Sequence, residues 1–188
     1  MQAVVTVLDD ASTALIELLW EGIAREFGIT LGYPNPIPHF TWHVADSYDG
    51  MRLRDALFHT ARDFAPFRAH AGGLGVFTGR KLVVHVPVVR NPALNAVQGA
   101  LWRDLDGVGT NVVQHFDPEL WIPHVTLAQR GLTAGILPDL LRWLAERPFS
   151  WEVCVGHLGV IADLGTPEVA HRFALTGPQR TQSTSSGY

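Results

Sequence analysis

The chain holds one cysteine, Cys154, among its 188 residues. An intrachain disulfide is therefore impossible, and the paired cysteines of zinc ribbons and dithiol redox centres are missing. Cys154 stands in the apolar run Val153-Cys154-Val155, which predicts a buried packing residue. Charge is also scarce: 17% of residues are Asp, Glu, Lys or Arg, and the formal net charge is −4. No broad basic face is available for long duplex nucleic acid, whereas a small anion held by a few local donors remains compatible. No uninterrupted apolar run reaches the ~18 residues of a membrane span. Asp9-Asp10 breaks the short apolar start, which has no basic segment before it, so a secretion signal is not indicated. The expectation is a cytoplasmic protein without membrane association. Nothing in the sequence marks an obligate interface, so a monomer is expected.

Against these absences, 47% of the residues are hydrophobic and 10% aromatic, enough to bury a sizeable core. Residues 1–176 are expected to form a single domain. The stretch 177–188, GPQRTQSTSSGY, has almost nothing to bury and is expected to be a disordered polar tail. Periodicity predicts strands at 3–8, 39–45, 67–77, 81–89, 121–128, 149–162 and 168–176, with a possible short one at 111–115. Helices are expected from Asp10, as cap, to about Phe27, at 50–64, from Pro92 after the cap residue Asn91, and at 135–146. Thr78-Gly79-Arg80 and Gly165-Thr166-Pro167 read as turns between paired strands. Helices interleaved with strands that short turns often join point to an α+β domain.

One repeat stands out. Ile37-Pro38-His39-Phe40-Thr41-Trp42 and Ile122-Pro123-His124-Val125-Thr126-Leu127 share the pattern Ile-Pro-His-apolar-Thr-apolar. Their separation is close to half of the chain before the tail, which suggests two equivalent halves. On a strand, side chains alternate in direction, so His39 and Thr41 share one face and Phe40 and Trp42 the other. His124 and Thr126 share a face in the same way. Each half thus supplies an imidazole and a hydroxyl in register, and each proline sits at a strand start, where a missing N–H costs least. Two imidazoles without an acidic cluster suit metal-independent phosphoryl chemistry, one neutral as base and one protonated as acid. The threonine hydroxyls would hold the non-bridging phosphate oxygens.

By strand parity His43 shares the face of His39 and Thr41, at the cleft margin. The remaining histidines show no metal-ligand spacing, so neither a metal nor a cofactor is expected. Phe77, Tyr33, Trp42 and Trp121 are aromatic side chains able to stack on a base. Arg80 and Lys81 read as turn charges that could also meet substrate phosphate. Gly72-Gly73-Leu74-Gly75 leads into no helix and does not read as a phosphate-cradling loop.

The paired His-x-Thr-x motifs, their separation and the strand–helix order resemble the 2H phosphoesterase superfamily, in particular its LigT-like 2′-5′ RNA ligase and RNA 2′,3′-cyclic phosphodiesterase group. The resemblance covers about residues 3–176. It implies a bilobal α+β fold, two antiparallel sheets flanking a central cleft with helices outside, related by a pseudo-two-fold. It implies His39 and His124 as the catalytic pair and Thr41 and Thr126 as phosphate ligands. The substrate would be a 2′,3′-cyclic phosphate or 2′-5′ linked diester of a nucleotide or RNA end. Such proteins often continue the second motif as His-x-Thr-Leu-Ala-Arg. Here Gln129 intervenes and the arginine is Arg130, which an unbroken strand would turn to the opposite face. With Trp42 and His43 ending the first motif, substrate preference is expected to differ from that of RNA-processing members. The alternative from another class is a non-catalytic nucleotide or RNA-end binding module on the same fold.

Overall fold

The computed structural model describes residues 1–31, 36–163 and 168–178. The strands and helices, in chain order, are β1 Gln2–Val7, α1 Asp10–Phe27, β2 His39–Ala45, β3 Ser47–Tyr48, α2 Gly50–Asp63, β4 Phe67–Gly72, β5 Gly75–Phe77, β6 Val83–Val89, α3 Pro92–Asp104, β7 Gly109–Thr110, β8 His124–Ala128, α4 Leu137–Ala145, β9 Ser150–Val155, β10 His157–Ile161 and β11 Val169–Ala174. One antiparallel sheet has the order β11-β10-β1-β2. In the other, β6 pairs with β8 on one side and with β4 and β5 on the other, and β9 lies outside β4. The mixed, antiparallel architecture expected from the sequence is the one observed.

Helix signals act locally. Asp9, not Asp10, caps α1, accepting the Ser12 N–H at 3.0 Å, while Gly28 ends it at φ 66°, a conformation glycine adopts at no steric cost. Asp49 and Asn91 cap α2 and α3 in the same manner. The run expected as one strand at 67–77 is broken at Gly73, where φ is +74°. The run 149–162 is also two strands, and they belong to different sheets: β9 pairs β4 and β10 pairs β1. Near 111–115 there is instead β7, paired with β3, and a 3-10 turn at Gln114–Phe116. The turn expected at 165–167 lies outside the described residues, as does 179–188 of the tail; Gly177 donates its N–H to the Phe64 carbonyl at 2.9 Å.

Two equivalent units organise the sheets. In β1-α1-β2 and in β6-α3-β8, a strand feeds a helix and the chain returns antiparallel as the edge strand bearing the His-x-Thr motif. The match extends to single bonds: Leu8 N–H reaches the Pro38 carbonyl at 2.9 Å, and Val88 N–H the Pro123 carbonyl at 2.8 Å. The helices cross over. Helix α1 packs on β8 and β9, and α3 packs on β2, with α2 on β10 and β11. Each unit's apolar helix face is thus buried by the other unit's sheet, and β2 and β8 lie against one another where the sheets meet.

An aromatic cluster fills the core behind β2. Phe40, Trp42 and Trp121 are essentially inaccessible to solvent, with Trp42 and Trp121 stacked at 5.0 Å. Burial leaves no room for Trp42 or Trp121 to stack on a base, which corrects that expectation for both. Cys154 is corrected the other way. It is exposed, because on β9 the alternation turns Val153 and Val155 inward and Cys154 out. Trp42→Ala should cost about 3–5 kcal/mol of stability through the cavity it leaves, read as a lower midpoint in denaturant-induced unfolding. A loss below about 1 kcal/mol would mean that the site is loosely packed.

Candidate active site

Both motif strands carry a bulge directly after the threonine. On β2, Val5 pairs with Thr41 but Val4 pairs with His43, leaving Trp42 as the extra residue. On β8, His85 pairs with Thr126 but Val84 pairs with Ala128, leaving Leu127 extra. A bulge places two residues opposite one and re-aims everything beyond it. Before the bulge, Thr41 lies beside Val5 on the cleft face. After it, His43 pairs with Val4 on the helix side, and Val44 returns to the cleft face. The parity that placed His43 at the cleft margin is therefore broken. His43 is buried, its Nδ1 lies 2.6 Å from the Tyr48 hydroxyl, and its ring packs on Trp102 of α3. Burial pushes its pKa down to about 4.

The bulge frees the Trp42 carbonyl from the ladder, and buried Gln98 on α3 donates to it at 3.1 Å. The Trp42 indole N–H donates to Thr6 Oγ1 at 2.8 Å, which in turn donates to the His157 carbonyl. The carbonyls of Thr41 and Thr126 each accept an indole N–H across the two units: Trp121 to Thr41 at 2.8 Å, and Trp20 to Thr126 at 3.0 Å. Buried backbone left unpaired by a bulge would be costly, and here side chains from the crossed helix and the opposing unit satisfy it.

His39, Thr41, His124 and Thr126 line a single cleft of about 1040 Å³. The two imidazoles are held alike. His39 Nδ1–H donates to the Ile37 carbonyl at 2.6 Å, and His124 Nδ1–H to the Ile122 carbonyl at 2.7 Å. A carbonyl only accepts, so the neutral rings carry their proton on Nδ1 and leave Nε2 as the exchanging nitrogen. Burial pushes the pKa of both below the ordinary value of 6.5, partly offset by these carbonyl bonds. The charge of His124 lowers His39 further.

The expected ligands Thr41 and Thr126 therefore sit beside the imidazoles, with side-chain hydroxyls that make no hydrogen bond among the described residues. Arg130 also lines the cleft, since β8 ends at Ala128 and the chain beyond it bridges to Thr30. Gln129 lines it as well. Phe77 adjoins the site: its ring stacks on His85 at 4.1 Å and meets His124 edge-on at 4.8 Å. Tyr33 lies outside the described residues.

Sequence reading missed His85. Buried on β6 opposite Thr126, it lies 5.0 Å from the His124 ring, and burial brings its pKa down to about 4. A Cβ on Gly75 would overlap this ring, so the glycine makes room for it. The available signal was parity: two residues before Pro87, the partner of His124, His85 falls on the same face. Among the described residues no group of three or more His, Cys, Asp or Glu side chains is placed to hold a metal ion, and no helix is long and apolar enough to cross a membrane.

The model of the family described as the 2′-5′ RNA ligase superfamily matches residues 10–167. The chain belongs to that superfamily. Solved structures with the same fold include TT0787 of Thermus thermophilus, with 18% identity, TM-score 0.68, and coverage of 94% of this chain and 98% of that one. Apo LigT of E. coli also has 18% identity, with TM-score 0.62 and coverage of 93% and 96%. LigT complexed with 3′-AMP gives TM-score 0.58 at the same identity and coverage. No curated protein sequence matches significantly. Superfamily membership and these folds support a phosphoesterase function of the two-histidine type.

The buried histidines make a prediction about stability. His43 and His85 have folded pKa values near 4 against 6.5 for the ordinary group. Between those values the unfolded chain binds protons that the folded chain does not, so the stability these two groups govern falls as pH drops from 6.5 toward 4. Denaturant midpoints measured across this window should decline, and His85→Leu should lessen the slope. An unchanged slope in that variant would show that His85 is charged or solvated in the fold.

Proposed function

We propose that the protein is a phosphodiesterase acting on a 2′,3′-cyclic phosphate or 2′-5′ linked diester of a nucleotide or RNA end, with His39 and His124 as general base and acid. The observation that carries this reading is the duplicated Nδ1–carbonyl bond, which leaves both Nε2 atoms available beside two unpartnered threonine hydroxyls in one cleft.

For a cyclic phosphate, His39 Nε2 takes a proton from water as the water oxygen bonds to phosphorus. The bond from phosphorus to the 3′ oxygen breaks, and His124 Nε2–H protonates that oxygen, leaving a 2′-phosphate. Charge on His124 lowers the pKa of His39, which favours His39 as the base and His124 as the acid. Thr41 and Thr126 donate to the non-bridging oxygens, whose charge rises in the transition state. None of these steps calls for a metal.

Positioned acids and bases each contribute about 10²–10⁴-fold. His39→Ala and His124→Ala should therefore lower kcat by that order on 2′,3′-cyclic nucleotides or 2′-5′ dinucleotides, and EDTA should leave the wild-type rate unchanged. Ligand binding without turnover on the whole panel would favour a binding module instead. Since burial sets both imidazoles below 6.5, the profile of kcat/KM against pH should be bell-shaped with its maximum on the acid side of that value. A maximum on the alkaline side would remove the two-imidazole assignment.

A further inference from the structure

The cleft has two unlike walls. On the wall from the β2 sheet, Ile37, Val44 and Phe116 surround His39 and Thr41. The wall from the β6 sheet includes Arg80, Lys81 and Arg130, while Asp163 is the only acidic residue lining the cleft among the described residues. A chain of net charge −4 thus concentrates positive charge at one edge of its cleft. Arg80 and Lys81 stand in the β5–β6 connection, which turns at Gly79 with φ +117°, and both are exposed. Neither forms an ion pair or hydrogen bond with the described residues.

Register fixes where this turn lies. Strand β6 pairs antiparallel with β8, His85 opposite Thr126 and Val84 opposite Ala128. The residues preceding Val83 therefore lie alongside Gln129 and Arg130, beyond the threonine end of the motif. At about 3.3 Å per strand residue, Lys81 is at most roughly 13 Å along the strand from the level of Thr126. Long Arg and Lys side chains shorten that gap for a bound anion. The cations stand beyond the threonines, displaced along the strand from the level of Thr126, on the side where the next phosphate along a nucleotide chain would lie.

We propose that Arg80 and Lys81 form a second phosphate subsite, so that the preferred substrate bears a phosphate on the 5′ side of the nucleotide whose 2′,3′ phosphate reacts. This rests on the activity proposed above and narrows it, from any cyclic nucleotide to an RNA end or a 5′-phosphorylated nucleotide. The subsite binds the flanking phosphate as a charge-assisted, solvent-accessible contact, so it acts on KM more than on kcat and weakens as salt is raised.

Adenosine 2′,3′-cyclic phosphate with and without a 5′-phosphate forms the test pair, assayed on the wild type and on the double variant Arg80→Gln, Lys81→Gln. The wild type should favour the 5′-phosphorylated compound by about ten-fold or more in kcat/KM, the scale of one or two charged hydrogen bonds. The variant should bring the ratio close to one, leaving the rate on the unphosphorylated compound within about two-fold. Calorimetry with adenosine 2′-monophosphate and adenosine 2′,5′-bisphosphate asks the same of binding alone, with the same ratio expected. Equal values for the pair in the wild type, or a preference that survives in the variant, would overturn the subsite. Absence of turnover on both compounds would count against the cyclic-nucleotide activity proposed above and not against the subsite, which the calorimetric ratio would still decide.

Discussion

The site depends on one short hydrogen bond made twice: an imidazole Nδ1–H to the carbonyl two residues earlier. Its net contribution to stability is only about 0.5–1.5 kcal/mol per bond. Its chemical consequence is larger, because it fixes the tautomer and the ring orientation together. Ile37 and Ile122 supply these carbonyls, and each is followed by a proline whose own carbonyl accepts a strand N–H. The Ile-Pro-His run thus works as a bracket that seats the histidine at a strand start with one nitrogen committed. An imidazole free to rotate would spend much of its time with the wrong nitrogen toward a substrate.

The bulge that follows each threonine complements this bracket. It ends the alternation, so that His43 follows Trp42 into the core, and returns the chain to the cleft at Val44; on β8 the corresponding shift lets Leu127 and Ala128 both be buried. The polar groups it liberates are satisfied from a distance, by Gln98 on the crossed helix and by Trp121 and Trp20 from the opposing unit. Because α1 covers the second sheet and α3 the first, neither unit can bury its helix without the other. The two halves of the site are therefore held in place by the packing that forms the core.

Much of this was legible in the order of residues. The duplicated motif, its strand placement and the helix cap at Asn91 follow from short-range chemistry, and the architecture follows from their order. What escaped depends on pairing between distant segments. A bulge is a relation between two strands, so nothing in HFTWHVA alone reveals that His43 leaves the face of His39. The stretch 149–162 reads as one strand, yet it serves two sheets with Gly156 between them. Cys154 looked internal from its neighbours but lies on the outer face of a sheet edge. His85 was hidden because only the β6–β8 register brings it under His124.

The proposed chemistry stands or falls on two imidazoles addressing one anion. Nitrogen-15 spectra of the histidine side chains, recorded as inorganic phosphate is added, test this most directly. The Nε2 resonances of His39 and His124 should move together with a single dissociation constant, while those of buried His43 stay fixed. Movement of only one of the pair, or two unrelated binding curves, would contradict it.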